Sequence, residues 1–432
     1  MKKTFIMIGV FMQLFTLLSC DKNKNINKTM SDYVDSLISA TGSYIPAWNK
    51  ENFKGRWNYI DGVFLNSIVN LYYEYKDSDI EKANKYKDFF INYINYYISN
   101  AGAFINPEDG TSGYRTTELD SVCESKILFD AYEMTNDTRY LNAINYTLVN
   151  LLNMPRCAGT NNFWHKTSYE NQIWLDGMYM YAPFYARYAK QNNKPEVFDD
   201  LKNQYEYIRN NMFDEEKKLY YHGHDSAKAV FWANPETGCS KSFWLRSMGW
   251  YIVSLVDVIE YFPESDNKEY LNGLLSEALE GILQYQDSKT KMFYQVVDLG
   301  KAKVNVKAGY FESLKNDAYK VNGKYVDTDV ENYLEASGSS MLSYAISKAA
   351  RLGYIDQSYQ EVGFEIFEGI YKHSFKKNEL NNICITAGLG TNDNIYKDGS
   401  AAYYLAEKVG SNDAKGVGPF IMAYLEYRKV EI

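Results

Sequence analysis

From Ser31 onward, apolar residues recur at helical spacing with few runs of strict alternation, so the chain is read as predominantly α-helical. The pattern predicts about twelve helices, over roughly 31–41, 57–75, 79–98, 117–134, 138–153, 173–190, 195–212, 241–262, 268–286, 331–352, 356–372 and 415–430. Turns rich in Asn, Asp, Gly or Pro separate most neighbours, as in Thr135-Asn136-Asp137 and Gln191-Asn192-Asn193-Lys194-Pro195. The helices differ in kind. Those starting near 57, 117, 173, 241, 331 and 415 are apolar on most faces and carry Gly, Ala and Ser, as in Gly249-Trp250-Tyr251-Ile252-Val253-Ser254-Leu255. A helix apolar all round is buried. Those near 79, 138, 195, 268 and 356 keep one face of Lys, Glu and Asp. Buried helices alternating with amphipathic ones predict an all-α (α/α)6 barrel, a six-hairpin toroid. In it the helix at 31–41 lies beside the one at 415–430 and closes the ring.

The connections are asymmetric. Segments leading into the buried helices are long, 99–116, 154–172, 213–240, 287–330 and 373–414, and the reverse ones are short. Long loops on one rim of a rigid scaffold carry function disproportionately. The segments 292–327 and 382–404 are read as short strands or a lid.

The N-terminus adds a different signal. Met1-Lys2-Lys3 is basic, Thr4 to Leu18 is apolar but short for a bilayer span, and Leu17-Leu18-Ser19-Cys20 resembles a bacterial lipobox. This predicts a lipoprotein signal peptide over 1–19 and a lipidated Cys20. A disordered polar tether follows over 20–30, then a single catalytic domain over 31–432. The alternative is an ordinary secretory signal that happens to end in Cys. The lipoprotein reading places the protein in a bacterial cell envelope, facing the periplasm, with membrane contact only through the anchor. Cys123, Cys157, Cys239 and Cys384 show no CxxC spacing and are expected as free, buried thiols.

A net charge of -9 argues against a nucleic-acid partner. The 41 Tyr suit either a site for ring-bearing ligands or a Tyr-rich scaffold. Chemistry-bearing residues collect where the long loops meet the buried helices. Asp176 lies among Trp174, Leu175, Met178 and Tyr179, and a carboxyl in apolar company is costly unless paired or protonated. That makes it a candidate general acid with a raised pKa, against the alternative of an acid that only favours the helix dipole. Asp120 starts the 117–134 helix as a second carboxylate or a cap. His165, Lys166 and Tyr169 precede Asp176, and His222 and His224 precede Arg246 and Trp250. Trp57, Tyr59, Glu335 and Ser337 start further helices. His222, His224 and Asp225 could instead form a metal set, although no HExxH-like spacing occurs. Arg246 could bridge to a core carboxylate, and Trp57, Trp174 and Trp250 could be core filler. In a toroid all these helix starts face one rim of a central funnel, where their N-termini favour an anionic ligand.

Three runs carry a resemblance. Trp164-His165-Lys166 through Asp176-Gly177-Met178-Tyr179-Met180-Tyr181-Ala182-Pro183-Phe184 is the first. The second is Trp232-Ala233-Asn234-Pro235-Glu236-Thr237-Gly238-Cys239-Ser240 through Arg246-Ser247-Met248-Gly249-Trp250-Tyr251. The third is Tyr333-Leu334-Glu335-Ala336-Ser337-Gly338. Together they resemble glycoside hydrolase family 105, the unsaturated rhamnogalacturonyl hydrolases, relatives of the family 88 unsaturated glucuronyl hydrolases. The resemblance covers about 31–432 and implies the (α/α)6 barrel, no metal and no cofactor. It implies a substrate with a non-reducing-end uronic acid bearing a C4=C5 double bond, foremost unsaturated galacturonyl-rhamnose. An acid protonates C4, water activated by the same carboxylate adds at C5, and the hemiketal opens to release a keto-acid. This differs from the two-carboxylate schemes that displace at the anomeric carbon.

By the same resemblance Asp176 is the general acid/base and Asp120 the second catalytic carboxylate. His165, Lys166, Tyr169, His222, Arg246 and Trp250 line the uronate subsite, with Trp57 and Ser337 as further substrate-binding positions. The chain departs from the family pattern at His224, where Trp is usual, and at Glu124-Ser125, where Pro-Gly is frequent. Both bear on the leaving-group side. An unsaturated glucuronyl substrate and a silent sugar-binding lipoprotein are the alternatives, and retention of both Asp176 and Asp120 argues against the second.

Overall fold

The computed structural model describes residues 25–42, 46, 48–51 and 55–429. The expected signal peptide and Cys20 lie outside the described residues. The first helix, α1, spans 25–39, so it starts six residues before the predicted boundary. Ile26 and Met30, expected in the tether, are buried against the barrel.

Six inner elements follow: α2 (Tyr59–Tyr75), a broken element made of α4 (Asp120–Cys123), a 3-10 turn (Glu124–Ile127) and α5 (Leu128–Thr135), then α7 (Leu175–Asn192), α9 (Leu245–Ile259), α12 (Ala336–Arg351) and α15 (Ala414–Arg428). Each packs on the next, and α15 packs on α2, which closes the ring. Their outer partners are α3 (Ile80–Ile94), α6 (Arg139–Leu152), α8 (Glu196–Met212), α10 (Asp266–Leu283) and α13 (Tyr359–His373). The sixth outer helix is α1. Tyr424 on α15 donates to Asn27 at 2.8 Å, and Asp35 pairs with Lys85 of α3 at 2.7 Å. The all-α six-hairpin toroid read from the periodicity is the observed fold.

The alternation of apolar and amphipathic helices follows from position. Every residue of α9 except Asp257 is buried, and every residue of α12 except Arg351, because an inner helix touches neighbours on all sides. In outer α3 only Ala83, Tyr86, Phe90, Tyr93 and Ile94 are buried. Side-chain caps start several helices: Asn58 accepts from Asp61 N on α2, Glu335 from Gly338 N on α12 and Asp413 from Lys415 N on α15.

Two predicted helices differ from the structure for physical reasons. The 117–134 helix is interrupted by a 3-10 turn at Glu124–Ile127. There α2 approaches so closely that a Cβ on Gly62 would meet Glu124 Cα at 2.6 Å. The 331–352 helix starts at Ala336 instead, because Thr328–Glu331 forms a strand against Lys303–Val306 and Leu334 bridges to Tyr294.

The long connections gather on the rim where the inner helices begin. Among the described residues their strands form two-stranded pairs, including Gln172–Trp174 with Gly223–Asp225 and Ile383–Cys384 with Val409–Gly410. The segments 292–327 and 382–404, with α11 (Ala308–Ser313) and α14 (Ala401–Ala406), form a cap over one side of the funnel. The cap has its own small core, in which Trp244, Val306, Phe311 and Tyr404 are fully buried. Cys123, Cys157, Cys239 and Cys384 are free and buried. No helix among the described residues is long and apolar enough to cross a membrane.

Candidate active site

A cavity of about 500 Å³ opens at the N-terminal ends of the inner helices. One short strand pair sets its floor. Trp174 pairs with Gly223, and Leu175 N donates to His222 O at 3.0 Å. Helix α7 begins at the next residue, so Asp176 in its first turn comes beside His222. Asp176 Oδ2 lies 3.1 Å from His222 Nε2, although the pair lacks the alignment of a hydrogen bond. On the far side, His222 Nδ1 and the Tyr404 hydroxyl are hydrogen-bonded at 2.7 Å. Asp176 is 8% exposed and His222 is fully buried, so water reaches this pair only from the cavity.

A second zipper places Asp120. Leu119 N donates to His165 O at 3.1 Å, and His165 N donates to Gln172 O at 2.9 Å. Asp120 Oδ2 then accepts from Lys166 Nζ at 2.6 Å, and its Oδ1 lies 3.4 Å from His165 Nε2. Burial alone raises the Asp120 carboxyl, but Lys166, His165 and Arg56 reverse that and hold it below its ordinary value. Burial pushes His165 down to about 4, against the opposing pull of Asp120, so its ring is neutral at pH 7. Burial also disfavours the Lys166 ammonium, yet Asp120 and Glu118 outweigh it and keep the charge firmly in place. His165 stacks on Trp174 with centroids 4.5 Å apart, and Tyr169 stacks on the same indole at 5.0 Å.

Of the residues predicted from sequence, Asp176, Asp120, His165, Lys166 and Tyr169 line this cavity, as do Tyr59 and Trp174. His222 stands directly behind Asp176. Four others do not reach the cavity wall. Trp57 is buried and donates to Ser125 Oγ at 3.0 Å. Arg246 is 1% exposed, donates to the Cys384 carbonyl and to Ser337 Oγ, and lies over the Trp244 ring. Ser337 donates to Glu335 at 2.7 Å within the α12 cap. Trp250 is buried one turn farther down the barrel axis, against Tyr179 at 4.4 Å. These side chains contact other protein groups and support the wall from behind, and the Arg246 Nε has no hydrogen-bond partner among the described residues.

The metal alternative fails on the same ground. His224 is hydrogen-bonded to Tyr207 through Nδ1 and to the Thr237 carbonyl through Nε2. The Asp225 carboxylate accepts from the backbone N–H groups of Ala227, Ala229 and Val230. Their donor atoms are spoken for by loop structure. Nor does Glu335 face the ligand space: it accepts from Ser337, Gly338 N and Cys384 N.

Several wall residues escaped the sequence reading. Glu51 and Arg56 come from the connection before α2, Arg115 and Glu118 from the one before α4, and Thr386 to Thr391 with Lys397 from the cap. The Arg56-Gly55 neighbourhood and the Thr386-to-Asn394 stretch carry no motif; only the presence of Arg and Lys in rim loops could have pointed to them. Arg56, Arg115, Lys166 and Lys397 surround the opening, which favours an anionic ligand. Four carboxylates also face it. Glu51 is paired with Lys415 at 2.7 Å, and Glu118 and Asp120 with Lys166. Asp176 alone among these four has no Lys or Arg partner in the described structure.

The six-hairpin toroid is also the fold of a solved glycoside hydrolase. The model of glycosyl hydrolase family 88 matches residues 26–309 and 323–431, and the chain belongs to that family. It is therefore a glycoside hydrolase. A family 105 glycoside hydrolase from C. acetobutylicum ATCC 824 shares 34% identity and superposes with a TM-score of 0.76, covering 93% of this chain and 98% of that one. Protein Atu3128 of Agrobacterium fabrum is 31% identical over 256 residues, which is 57% of this chain and 97% of that protein. An unsaturated 3S-rhamnoglycuronyl hydrolase of Formosa agariphila is 24% identical over 119 residues, 26% of this chain and 30% of that one.

Proposed function

We propose that the enzyme removes a 4,5-unsaturated uronic acid from the non-reducing end of lyase-generated oligosaccharides by hydrating the C4=C5 bond. Unsaturated galacturonyl-rhamnose is the preferred substrate. The observation that carries this reading is Asp176, the cavity carboxylate with no Lys or Arg partner among the described residues, set against a buried His222. Asp120 beside Lys166 stays an anion and is not available as the acid.

Asp176 gives its proton to C4, and the π electrons of C4=C5 form the new C4–H bond. Positive charge develops at C5 and the ring oxygen. Water attacks C5 and loses its proton to the Asp176 carboxylate, which restores the acid. The C5 hemiketal opens to a ketone, leaving a hemiacetal at C1 that releases the remaining sugar. One carboxyl serves both transfers, which is why a second, protonated acid is not required. Burial raises the Tyr404 hydroxyl far above its ordinary pKa, so it keeps its proton. Donating that proton to His222 Nδ1 leaves Nε2–H facing Asp176. Asp120, fixed as an anion by Lys166, accepts from ring hydroxyls, and the stacked Trp174 and Tyr169 offer an aromatic wall. Arg56, Arg115 and Lys397 draw the uronate carboxylate to the mouth.

The lipobox-like segment Leu17-Leu18-Ser19-Cys20 supports a lipid anchor at Cys20 in the bacterial envelope. The test is the ultraviolet absorbance of the conjugated uronate in lyase-digested rhamnogalacturonan. Its loss on adding the enzyme supports the reading. Loss only with lyase-digested glucuronate polymers would move the substrate to the glucuronyl class. No loss with any lyase product would overturn it.

A further inference from the structure

A second cavity, of about 520 Å³, lies at the opposite end of the barrel, where the inner helices finish. All six inner elements contribute to it, from Tyr73 on α2 round to Met422 on α15. Its size matches the Asp176 cavity and suits a monosaccharide or slightly larger molecule. The aromatic pair Tyr179 and Trp250 stands between the two along the axis.

The wall carries four cations, Lys126, Arg187, Lys190 and Lys348, against four carboxylates, and nearly every one of these groups is hydrogen-bonded. Arg187 holds Asp130 through two hydrogen bonds, at 2.7 and 3.0 Å, and Glu133 at 2.9 Å. Lys348 holds Asp257 at 2.8 Å and Glu260 at 3.2 Å. Tyr344 and Tyr73 donate to Asp257 and Asp130. Lys126 is the exception. It is 7% exposed, and its Nζ has no hydrogen-bond partner in the described structure. Only the face of Tyr179 lies near, at 3.9 Å. A buried ammonium with three idle donors is costly. It stands on the 3-10 turn that interrupts the second inner element, and such mid-helix interruptions often mark function.

We propose that this cavity is a second ligand site, for a small hydroxylated monocarboxylic acid of the sugar-acid class, anchored by Lys126. The chemistry selects that class. Lys126 offers a buried ammonium with no hydrogen-bond acceptor among the described residues, and a single ligand carboxylate would supply one. Asp130, Glu133, Asp257 and Glu260 keep lone pairs free after their ion pairs, and those accept from hydroxyl groups. The same four carboxylates repel a compact di-anion such as phosphate. Tyr73, Tyr261 and Tyr344 add ring faces to the wall. The site is independent of the reaction proposed for Asp176, and its occupancy is read without any turnover.

The direct experiment is to soak crystals of the unmodified protein with galacturonate and to titrate the same ligand calorimetrically. The expected result is density at Lys126 in addition to any at Asp176, with two sites per chain in solution. Lys126→Met should weaken the second site by about tenfold or more, the loss of one charge-assisted hydrogen bond, while leaving the first intact. Phosphate at equal concentration should leave the site empty. Density confined to the Asp176 cavity, unchanged two-site binding in Lys126→Met, or phosphate binding as well as galacturonate would each overturn the proposal.

Discussion

Asp176 Oδ2 sits 3.1 Å from His222 Nε2 because Trp174 pairs with Gly223 in a strand only three residues long. The two residues are far apart in the chain, and a register slip of one residue in that strand would turn His222 away from the carboxyl. Asp176→Asn keeps the shape but cannot cycle a proton. Its kcat should fall by about 10²- to 10⁴-fold with KM little changed, measured by steady-state loss of uronate absorbance.

Tyr404 orients His222 from behind, so Tyr404→Phe acts at one remove. The expected effect is a fall in kcat of about tenfold, equivalent to about 1.4 kcal/mol, with a displaced pH profile. An unaltered pH profile would show that Tyr404 only fills space.

His165 contributes to the acid limb of stability. Burial holds its folded pKa at about 4, below its unfolded value near 6.5. The unfolded chain therefore takes up the proton first as pH falls. Stability fully present above pH 6.5 is lost as pH drops toward 4, by on the order of 3 kcal/mol. Urea midpoints at pH 7 and 4.5 check this, and His165→Gln should shrink the difference between them.

Glu407 acts at the other limb. Burial raises its carboxyl to about 7, with Lys397 and Tyr403 opposing and Glu51 reinforcing the rise. The folded state keeps it protonated, so its stability is fully present below the unfolded value and is lost as pH rises through 7. Glu407→Gln should therefore be more stable than the parent at pH 8.5, and about equal at pH 4.5, by thermal melting.

Much of this architecture was legible in the chain. Helices such as α9 and α12 are apolar all round because they are walled in on every side, and that pattern survives in the sequence without any structural help. Asp176, Asp120, His165 and Lys166 were legible because they sit at helix starts beside long loops. Depth along the barrel axis was not. Arg246 and Trp250 share a helix whose residues are almost all buried, so periodicity cannot say which turn faces the funnel. Arg246 turns one terminal nitrogen to the Cys384 carbonyl and Ser337, and Trp250 lies a turn too low. Glu51, Arg56 and Lys397 reach the cavity only through the folding of long connections, which local spacing does not encode.

The break at Glu124–Ile127 shows the same limit. No residue in Glu124-Ser125-Lys126-Ile127 forbids a helix; the close passage of Gly62 is what displaces it. Gly62→Ala should destabilise the fold by about 1–3 kcal/mol, seen as a lower urea midpoint. Its added methyl meets backbone rather than a side chain that could move.

In the proposed reaction, bond breaking begins at C4=C5 and not at the anomeric carbon. A substrate analogue with sulfur in place of the glycosidic oxygen separates the two, because its C1–S bond resists acid-catalysed displacement while its enol ether is untouched. The expected result is that the enzyme removes the ultraviolet absorbance of the sulfur-linked analogue at a rate comparable to that of the oxygen-linked substrate, and that Asp176→Asn does not. Consumption of the oxygen-linked substrate with an inert sulfur-linked analogue would contradict hydration and return the chemistry to C1.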